Sequence, residues 1–388
     1  MRHGSELRPK NRFDSVHRTD GEAEAQDHDR NHDHDHVQRG PSGESKPIAR
    51  IEYLDDQSRS IVSSNDSPDI PFDYSLNPYR GCVHGCAYCY ARPSHEYLGF
   101  DAGLGFETKI MVKREAAELF EKFLRRRGWD ASPITFSGVT DCYQPIERTL
   151  LLTRRCLEVA ARFGQPISIV SKNALVERDL DLLAPMAAKG LVHFWLSMPT
   201  MDKTLSLDLE PRTSRPVARL RAATAVAEAG VPVGVVVAPI IPGLNDHEIA
   251  DVLSAASEAG VTAARYNLLR LPGTVRPVFE NWLRTRRPDS ADKVLGRIAA
   301  VRGGSLNDSR FGHRMRGTGP AAELLRTCFH TFRQQFGLSK DLPPHRRDGF
   351  RAPAEDVAES STAITGDAPR QAAEPEKERA DDPQMRLF

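Results

Sequence analysis

Cys82, Cys86 and Cys89 fall within eight residues, in the run Cys82-Val83-His84-Gly85-Cys86-Ala87-Tyr88-Cys89. Three thiolates do not complete the tetrahedral shell of a zinc or single-iron site. They can hold three irons of a 4Fe–4S cluster and leave the fourth iron open to another ligand. A structural zinc knuckle would need a fourth ligand, for which His84 and His95 are the nearby choices. Three unrelated buried thiols is the plainest alternative. Cys142, Cys156 and Cys328 stand alone in the chain, and their spacing suggests no second cluster.

Such a loop must be carried by a scaffold, and the pattern of the chain supplies one. Apolar, β-rich runs at 133–139, 166–170, 192–197, 231–238 and 265–269 alternate with helical patterns at 114–127, 150–163, 180–189, 216–229 and 246–259. Gly164, Gly190, Gly230 and Gly260 each stand where a helix should stop before a strand begins. Alternating β and α units predict an α/β fold, a parallel sheet curled into a partial or full (β/α) barrel with helices outside. In such sheets ligands collect at the carboxyl ends of the strands. Four runs end in polar residues: Thr140-Asp141-Cys142 after the first, Ser171-Lys172-Asn173 after the second, Ser197 at the third and Asn245-Asp246 beyond the fourth. Each alone is compatible with a helix cap. Their recurrence on one rim suits a shared site for a ribose diol, a carboxylate and an adenine edge.

The chain has 388 residues, zero net charge and 39% hydrophobic residues, the dilution sitting at its two ends. Residues 1–46 include the run Asp27-His28-Asp29-Arg30-Asn31-His32-Asp33-His34-Asp35-His36. They bury too little apolar surface to offset ordering entropy and read as a disordered tail, with stray metal binding by His and Asp as a secondary reading. Residues 351–388 read the same way until the final five. The body then divides into a core at 47–274 and a helical, basic extension at 275–350. Six cysteines, half in one cluster, are not a disulfide framework. No apolar N-terminal run or membrane-length segment is present, so a reducing cytoplasm is expected and a membrane is not.

The C-x3-C-x2-C spacing with an aromatic before the last cysteine resembles the signature of radical S-adenosylmethionine (SAM) enzymes. Further matches narrow it. Asn77-Pro78-Tyr79-Arg80-Gly81, Tyr90-Ala91-Arg92-Pro93, Thr140-Asp141, Ser171-Lys172, Leu209-Glu210-Pro211-Arg212-Thr213 and Val237-Ala238-Pro239-Ile240 are similar to the spore photoproduct lyase-related group. Its bacterial members are often labelled DNA repair photolyases. The likeness covers roughly residues 50–270, and the cysteine motif is its most specific part. The resemblance implies a 4Fe–4S cluster on Cys82, Cys86 and Cys89, with SAM chelated at the open iron. It further implies Lys172 at the SAM carboxylate, Thr140 and Ser197 at its ribose or methionine end, and Tyr88 on the adenine side. An electron donor such as flavodoxin or ferredoxin is implied as well. One position departs from the group: where the lyase carries its hydrogen-donating cysteine, this chain has Gly138, and Cys142 is the substitute candidate.

The expected activity is reductive cleavage of SAM and hydrogen abstraction, acting on DNA as lesion repair or modification. RNA or protein as target is an alternative, as is a non-enzymatic iron–sulfur sensor that binds nucleic acid. Glu147, Glu210 and Arg212 are expected nearest a substrate, although Glu210 with Arg212 reads equally as a salt bridge bracing the rim. Residues 302–316, preceded by Arg284, Arg286 and Arg287, join arginines, Phe311 and glycines in a pattern suited to phosphate contact and base stacking. Gln384-Met385-Arg386-Leu387-Phe388 resembles the Gln-x-x-Leu-Phe peptide by which bacterial polymerases and repair proteins dock on the DNA sliding clamp. A polar tether ending in such a peptide would raise the local concentration at DNA.

Overall fold

The computed structural model describes residues 3–13 and 50–352. The strands, in chain order, are β1 (Glu52–Asp55), β2 (Val62–Ser64), β3 (Tyr74–Leu76), β4 (Tyr79–Arg80), β5 (Lys109–Val112), β6 (Ile134–Phe136), β7 (Ile167–Ser171), β8 (Val192–Ser197), β9 (Val233–Ile240) and β10 (Ala263–Leu268). Six of them lie parallel in the order β10-β9-β8-β7-β6-β3, and β2 adds antiparallel to β3. The sheet is open, with β10 at one end and β2 at the other, so the barrel is partial. A second sheet, β1-β5-β4, stands beside it. Strand β8 is buried at all six positions, as a parallel strand covered on both faces must be.

The helices fall where the apolar periodicity placed them, among them Ala116–Leu124, Leu152–Phe163, Leu180–Ala188, Pro216–Glu228 and Ile249–Glu258. Gly164 shows why its position selects glycine. It ends a helix at φ 63°, where the amide of Gln165 turns back 2.9 Å to the Ala160 carbonyl. The first parallel strand is β3, ahead of the 133–139 run; at three residues it is too short to carry a periodic signal.

One segment departs from its sequence reading. Residues 3–13 are not a solvated tail but lie against the body: Asn11 and Ser5 are buried, and the Leu104 amide donates to the Leu7 carbonyl. Gly4 is forced by closeness, since a Cβ there would stand 1.6 Å from the Gly85 carbonyl oxygen. Polar composition concealed this contact because it uses backbone and side-chain hydrogen bonds rather than apolar burial. Residues 275–350 fold as Val275–Arg286, Ala291–Ala300 and Gly319–Gln335 with connecting loops. Val275, Phe279, Trp282 and Leu283 pack in one apolar cluster with Cys86 and Tyr88, while Phe329 and Leu338 join the main core. The extension therefore backs the cysteine loop and flanks β10. Among the described residues no helix is long and apolar enough to cross a membrane.

Candidate active site

The cysteine loop follows β4 through Gly81, which sits at φ 75°. It is stapled at three amides: Cys82 to the Phe106 carbonyl (2.9 Å), Val83 to Gln144 Oε1 (3.1 Å) and Ala87 to the Leu209 carbonyl (3.0 Å). Gln144 follows β6 and Leu209 ends the helix Lys203–Leu209 after β8, so the loop is fastened to the carboxyl-end rim. Beneath it, fully buried Arg92 donates to the Cys86 carbonyl from Nε (3.1 Å) and Nη2 (2.8 Å). The same guanidinium meets Glu107 at 2.6 Å. Glu107 also receives Arg212 Nη2 at 2.8 Å, the Gly4 amide at 3.2 Å and His3 at 3.2 Å. Burial alone would push the Glu107 carboxyl up, but Arg92, His3 and Arg212 together hold it below the usual carboxylate range.

On the rim, Asp141 joins two strand ends to this loop. Its Oδ1 accepts from Ser171 Oγ (2.8 Å), its Oδ2 from the Lys172 amide (2.8 Å), and Oδ2 stands 3.5 Å from His84 Nδ1. The far side of the His84 ring meets Asn173 Nδ2 at 3.2 Å. Thr140 Oγ1 donates to the Gly81 carbonyl at 2.9 Å, directly against the cysteine loop. The Lys172 amine is enclosed; burial opposes its charge, yet Cys86, Glu210 and Asp141 together hold its pKa above the ordinary lysine value. Tyr88 donates its hydroxyl to Glu210, Arg219 donates to the same carboxylate, and Arg219 Nη1 donates to the Ser197 carbonyl at 2.9 Å. Thr140, Lys172, Tyr88 and Ser197 thus lie on one connected rim around the cysteines.

Other charged residues take different places from those expected. Arg212 pairs with Glu107 and the Val83 carbonyl, whereas Glu210 pairs with Arg219 and Tyr88, so no Glu210–Arg212 bridge forms. Glu147 is fully buried against Tyr79 Oη (2.5 Å) and Arg178 (3.1 Å), away from solvent. Cys142 is also fully buried, inside the main apolar core, and burial pushes its thiol well above the ordinary range. Tyr90, which the sequence marks only as part of the Tyr90-Ala91-Arg92-Pro93 match, donates its hydroxyl to the Gly138 carbonyl, beside Ser137 at the strained φ of 89°. Its position directly after the third cysteine was the available signal. The sequence offers His84 as a candidate fourth metal ligand and Asp141 as a strand-end residue of the Thr140-Asp141 match, but not their contact with each other.

The three cysteines form no disulfide. Among the described residues, no three of His, Cys, Asp and Glu converge closely enough to chelate one metal ion. The three thiols act on one another within one loop, the donor set that a 4Fe–4S cluster on three cysteines takes.

Residues 76–256 match the radical SAM superfamily model. An uncharacterized protein of Mycobacterium tuberculosis is 37% identical over 222 residues, covering 57% of this chain and 65% of that one. An uncharacterized protein of Methanocaldococcus jannaschii is 27% identical over 255 residues, covering 66% of this chain and 91% of its own. The chain thus spans just under two thirds of the mycobacterial relative. Among solved structures, a spore photoproduct lyase variant with bound AdoMet and dinucleoside spore photoproduct has a TM-score of 0.52 at 20% identity, covering 73% of this chain and 78% of that one. A second lyase variant gives 0.53 at 20% identity, covering 73% and 79%. These lyase structures share the fold. Cysteine loop and open parallel sheet agree with this likeness of residues 76–256 to the radical SAM superfamily.

Proposed function

We propose that this chain is a radical SAM enzyme that acts on DNA, in lesion repair or base modification. Residues 302–316 are the observation that carries the DNA reading. This segment is hooked to the end of β10, the Leu268 amide donating to the Met315 carbonyl (2.9 Å) and the Leu271 amide to Asn307 Oδ1 (3.2 Å). Phe311, 57% exposed, stands there among Arg310, His313 and Arg316, all exposed. An exposed aromatic among cations offers a stacking face and phosphate contacts together. The dinucleoside lesion bound by a protein of the same fold supports the same target class.

When bound on Cys82, Cys86 and Cys89, a reduced 4Fe–4S cluster supplies the electron that splits SAM into methionine and a 5′-deoxyadenosyl radical. The chain's own residues do the rest. Lys172 holds the SAM carboxylate, Thr140 and Ser197 flank its ribose or methionine end, and Tyr88, braced by Glu210, borders the adenine. Arg92 and Glu107 fix the loop from below, so that the cysteines are presented to the rim and not to solvent. Two groups here can yield a hydrogen atom to a product radical. Cys142 is enclosed in core, whereas Tyr90 is only partly covered and borders the rim, so Tyr90 is the better placed. A small flavin or iron–sulfur protein, such as flavodoxin or ferredoxin, supplies the electron. The clamp-binding peptide at Gln384, Leu387 and Phe388 lies outside the described residues and stands as a proposal from its sequence.

The test is reconstitution with iron and sulfide, reduction by dithionite, and assay of 5′-deoxyadenosine with SAM. Ultraviolet-irradiated DNA, intact DNA and RNA are then compared for stimulation of product. Absence of 5′-deoxyadenosine from protein carrying an intact cluster defeats the enzyme reading. Stimulation by RNA alone defeats the DNA reading. Deleting residues 384–388 without loss of sliding-clamp binding removes the clamp.

A further inference from the structure

Buried arginines in this protein come with their counter-groups. Arg92 has Glu107, Arg219 has Glu210, and Arg178 has Asp179 and Glu147. Arg314 has Asp69 at 2.7 Å, and Arg302 donates to the carbonyls of Leu268, Leu269 and Arg314. Arg302 and Arg270 each keep an enclosed Nε without a partner, but Arg302 reaches carbonyl oxygens with its other nitrogens, whereas among the described residues Arg270 has no oxygen acceptor. Arg270 stands two residues past β10, on the rim that carries the cysteine loop, and is partly exposed. Its Nε is enclosed without a hydrogen-bond partner, and its Nη1 reaches only the Met315 sulfur at 3.7 Å. Among the described residues no carboxylate lies within ion-pair distance of it. Asp69, the acidic group that acts on it, is already taken by Arg314 and the Gly312 amide (2.8 Å).

An enclosed guanidinium edge with no partner carries a desolvation penalty that an arriving anion would offset. We propose that Arg270 is the receptor for a phosphate of the substrate's nucleic-acid backbone, placed beside Tyr90 at the mouth of the site. The proposal rests on the DNA reading above and deepens it to one residue. Three features favour phosphate at this point. The guanidinium carbon lies 5.9 Å from the Tyr90 ring centroid, so a bound group would border the rim where the proposed chemistry occurs. The planar donor fork matches two phosphate oxygens at once. The flanking residues 302–316 add exposed Arg316, and exposed Arg310 paired with Asp308 at 2.8 Å. The SAM carboxylate is the rival anion, and charge neighbourhoods separate the two. Lys172 is acted on by Cys86, Glu210, Asp141 and Arg219, whereas Arg270 is acted on by Arg314, Tyr90 and Asp69. Both act on Tyr90, but the carboxylates around them differ: Glu210 and Asp141 for Lys172, Asp69 for Arg270.

The experiment uses full-length reconstituted protein and its Arg270→Gln and Arg270→Lys variants. Binding of labelled oligothymidylate and of labelled duplex DNA is followed by anisotropy over a salt series. SAM binding is read from the change it causes in the electron paramagnetic resonance spectrum of the reduced cluster. R270Q is expected to bind DNA about tenfold more weakly and to lower the log–log salt slope by about 1, with R270K recovering part of the affinity. The SAM-induced spectral change is expected to persist in both variants. Equal DNA binding by parent and R270Q overturns the phosphate assignment alone. Loss of the SAM-induced change with DNA binding intact overturns it in favour of the SAM carboxylate. A parent protein that binds neither DNA probe overturns both this assignment and the DNA reading. Should R270Q fail to fold by circular dichroism, R270K, which keeps the charge but loses the fork, decides by the same measures.

Discussion

The two ends of the parallel sheet use buried polar groups in opposite ways. At the carboxyl ends, Asp141, Lys172, Glu210 and Arg219 form a network of charges that reaches the cysteine loop. At the amino ends, the groups are mostly neutral and close on backbone. Gln165 accepts from Trp129 Nε1 (2.8 Å) and donates to the Ser132 and Pro166 carbonyls (2.9 Å each). The chain from 345 to 351 then straps this end, with the Arg346 amide on the Gly190 carbonyl and the Arg351 amide on the Phe163 carbonyl, both at 2.9 Å. His345 contacts the Ile167 carbonyl at 2.8 Å and stacks on His193, ring centroids 3.8 Å apart. A charged rim suits ligand binding and chemistry, while a neutral, strapped rim suits stability.

The sharpest way to break this contrast is at the cysteines. Replacing Cys82, Cys86 or Cys89 by Ala is expected to abolish 5′-deoxyadenosine formation and to strip the cluster's visible absorption. The unfolding midpoint of the apo-protein should move little, because the amino-end strap is untouched. Apo-protein that unfolds far earlier would mean that the two ends are not separable. Next in size is Glu107→Gln, which leaves Arg92 and Arg212 facing a neutral amide. Breaking such a buried pair costs about 3–5 kcal/mol. Denaturant unfolding measures that loss, and iron per chain should fall with it because Arg92 holds the Cys86 carbonyl.

The amino end responds to pH instead. Burial, with His345 adding, lowers the His193 pKa to about 4, and burial lowers that of His345 as well. Both rings are therefore kept neutral in the fold, while the unfolded chain takes up protons from near pH 6.5 downward. Between pH 6.5 and 4 the unfolded state binds more protons, so stability is full above pH 6.5 and is lost as pH falls toward 4. For His193 alone the loss approaches about 3 kcal/mol. His193→Gln should flatten this part of the stability–pH curve, as read from unfolding midpoints at each pH. A curve of unchanged slope would remove the histidine pair from the account.

Much of the barrel and the cysteine loop could be read from the chain because each has a short-range signature. Strands β6 to β10 are apolar runs bounded by turn residues, and Cys82, Cys86 and Cys89 keep their spacing in any context. Lys172 and Thr140 were legible as residues just past strands. What escaped was long-range. Glu107 meets Arg92 and Arg212 across separations no local pattern encodes, and residues 3–13 dock through Gly4 and Asn11 without apolar periodicity. Glu210 and Arg212 illustrate the same limit: two residues apart in sequence, they point to different partners. Arg270 had no motif, and its meaning comes from an enclosed Nε without a hydrogen-bond partner.

The smallest effect tests whether every polar residue at the carboxyl rim belongs to the chemistry. Asp202 follows β8, on the same rim as Ser197, yet it is exposed and its Oδ1 accepts from the amides of Thr204 (2.6 Å) and Leu205 (2.9 Å). That is the geometry of an N-cap for the helix Lys203–Leu209, whose last residue holds the Ala87 amide. Asp202→Ala should therefore cost about 1 kcal/mol of stability and leave 5′-deoxyadenosine formed per cluster unchanged. The comparison is made at equal iron content, since a frayed helix loosens the staple on the cysteine loop and lowers cluster retention slightly. A fall in turnover per cluster would assign Asp202 to the site rather than to the scaffold. It would add a second acidic group to the end of β8, which the network through Glu210 and Arg219 already reaches at Ser197.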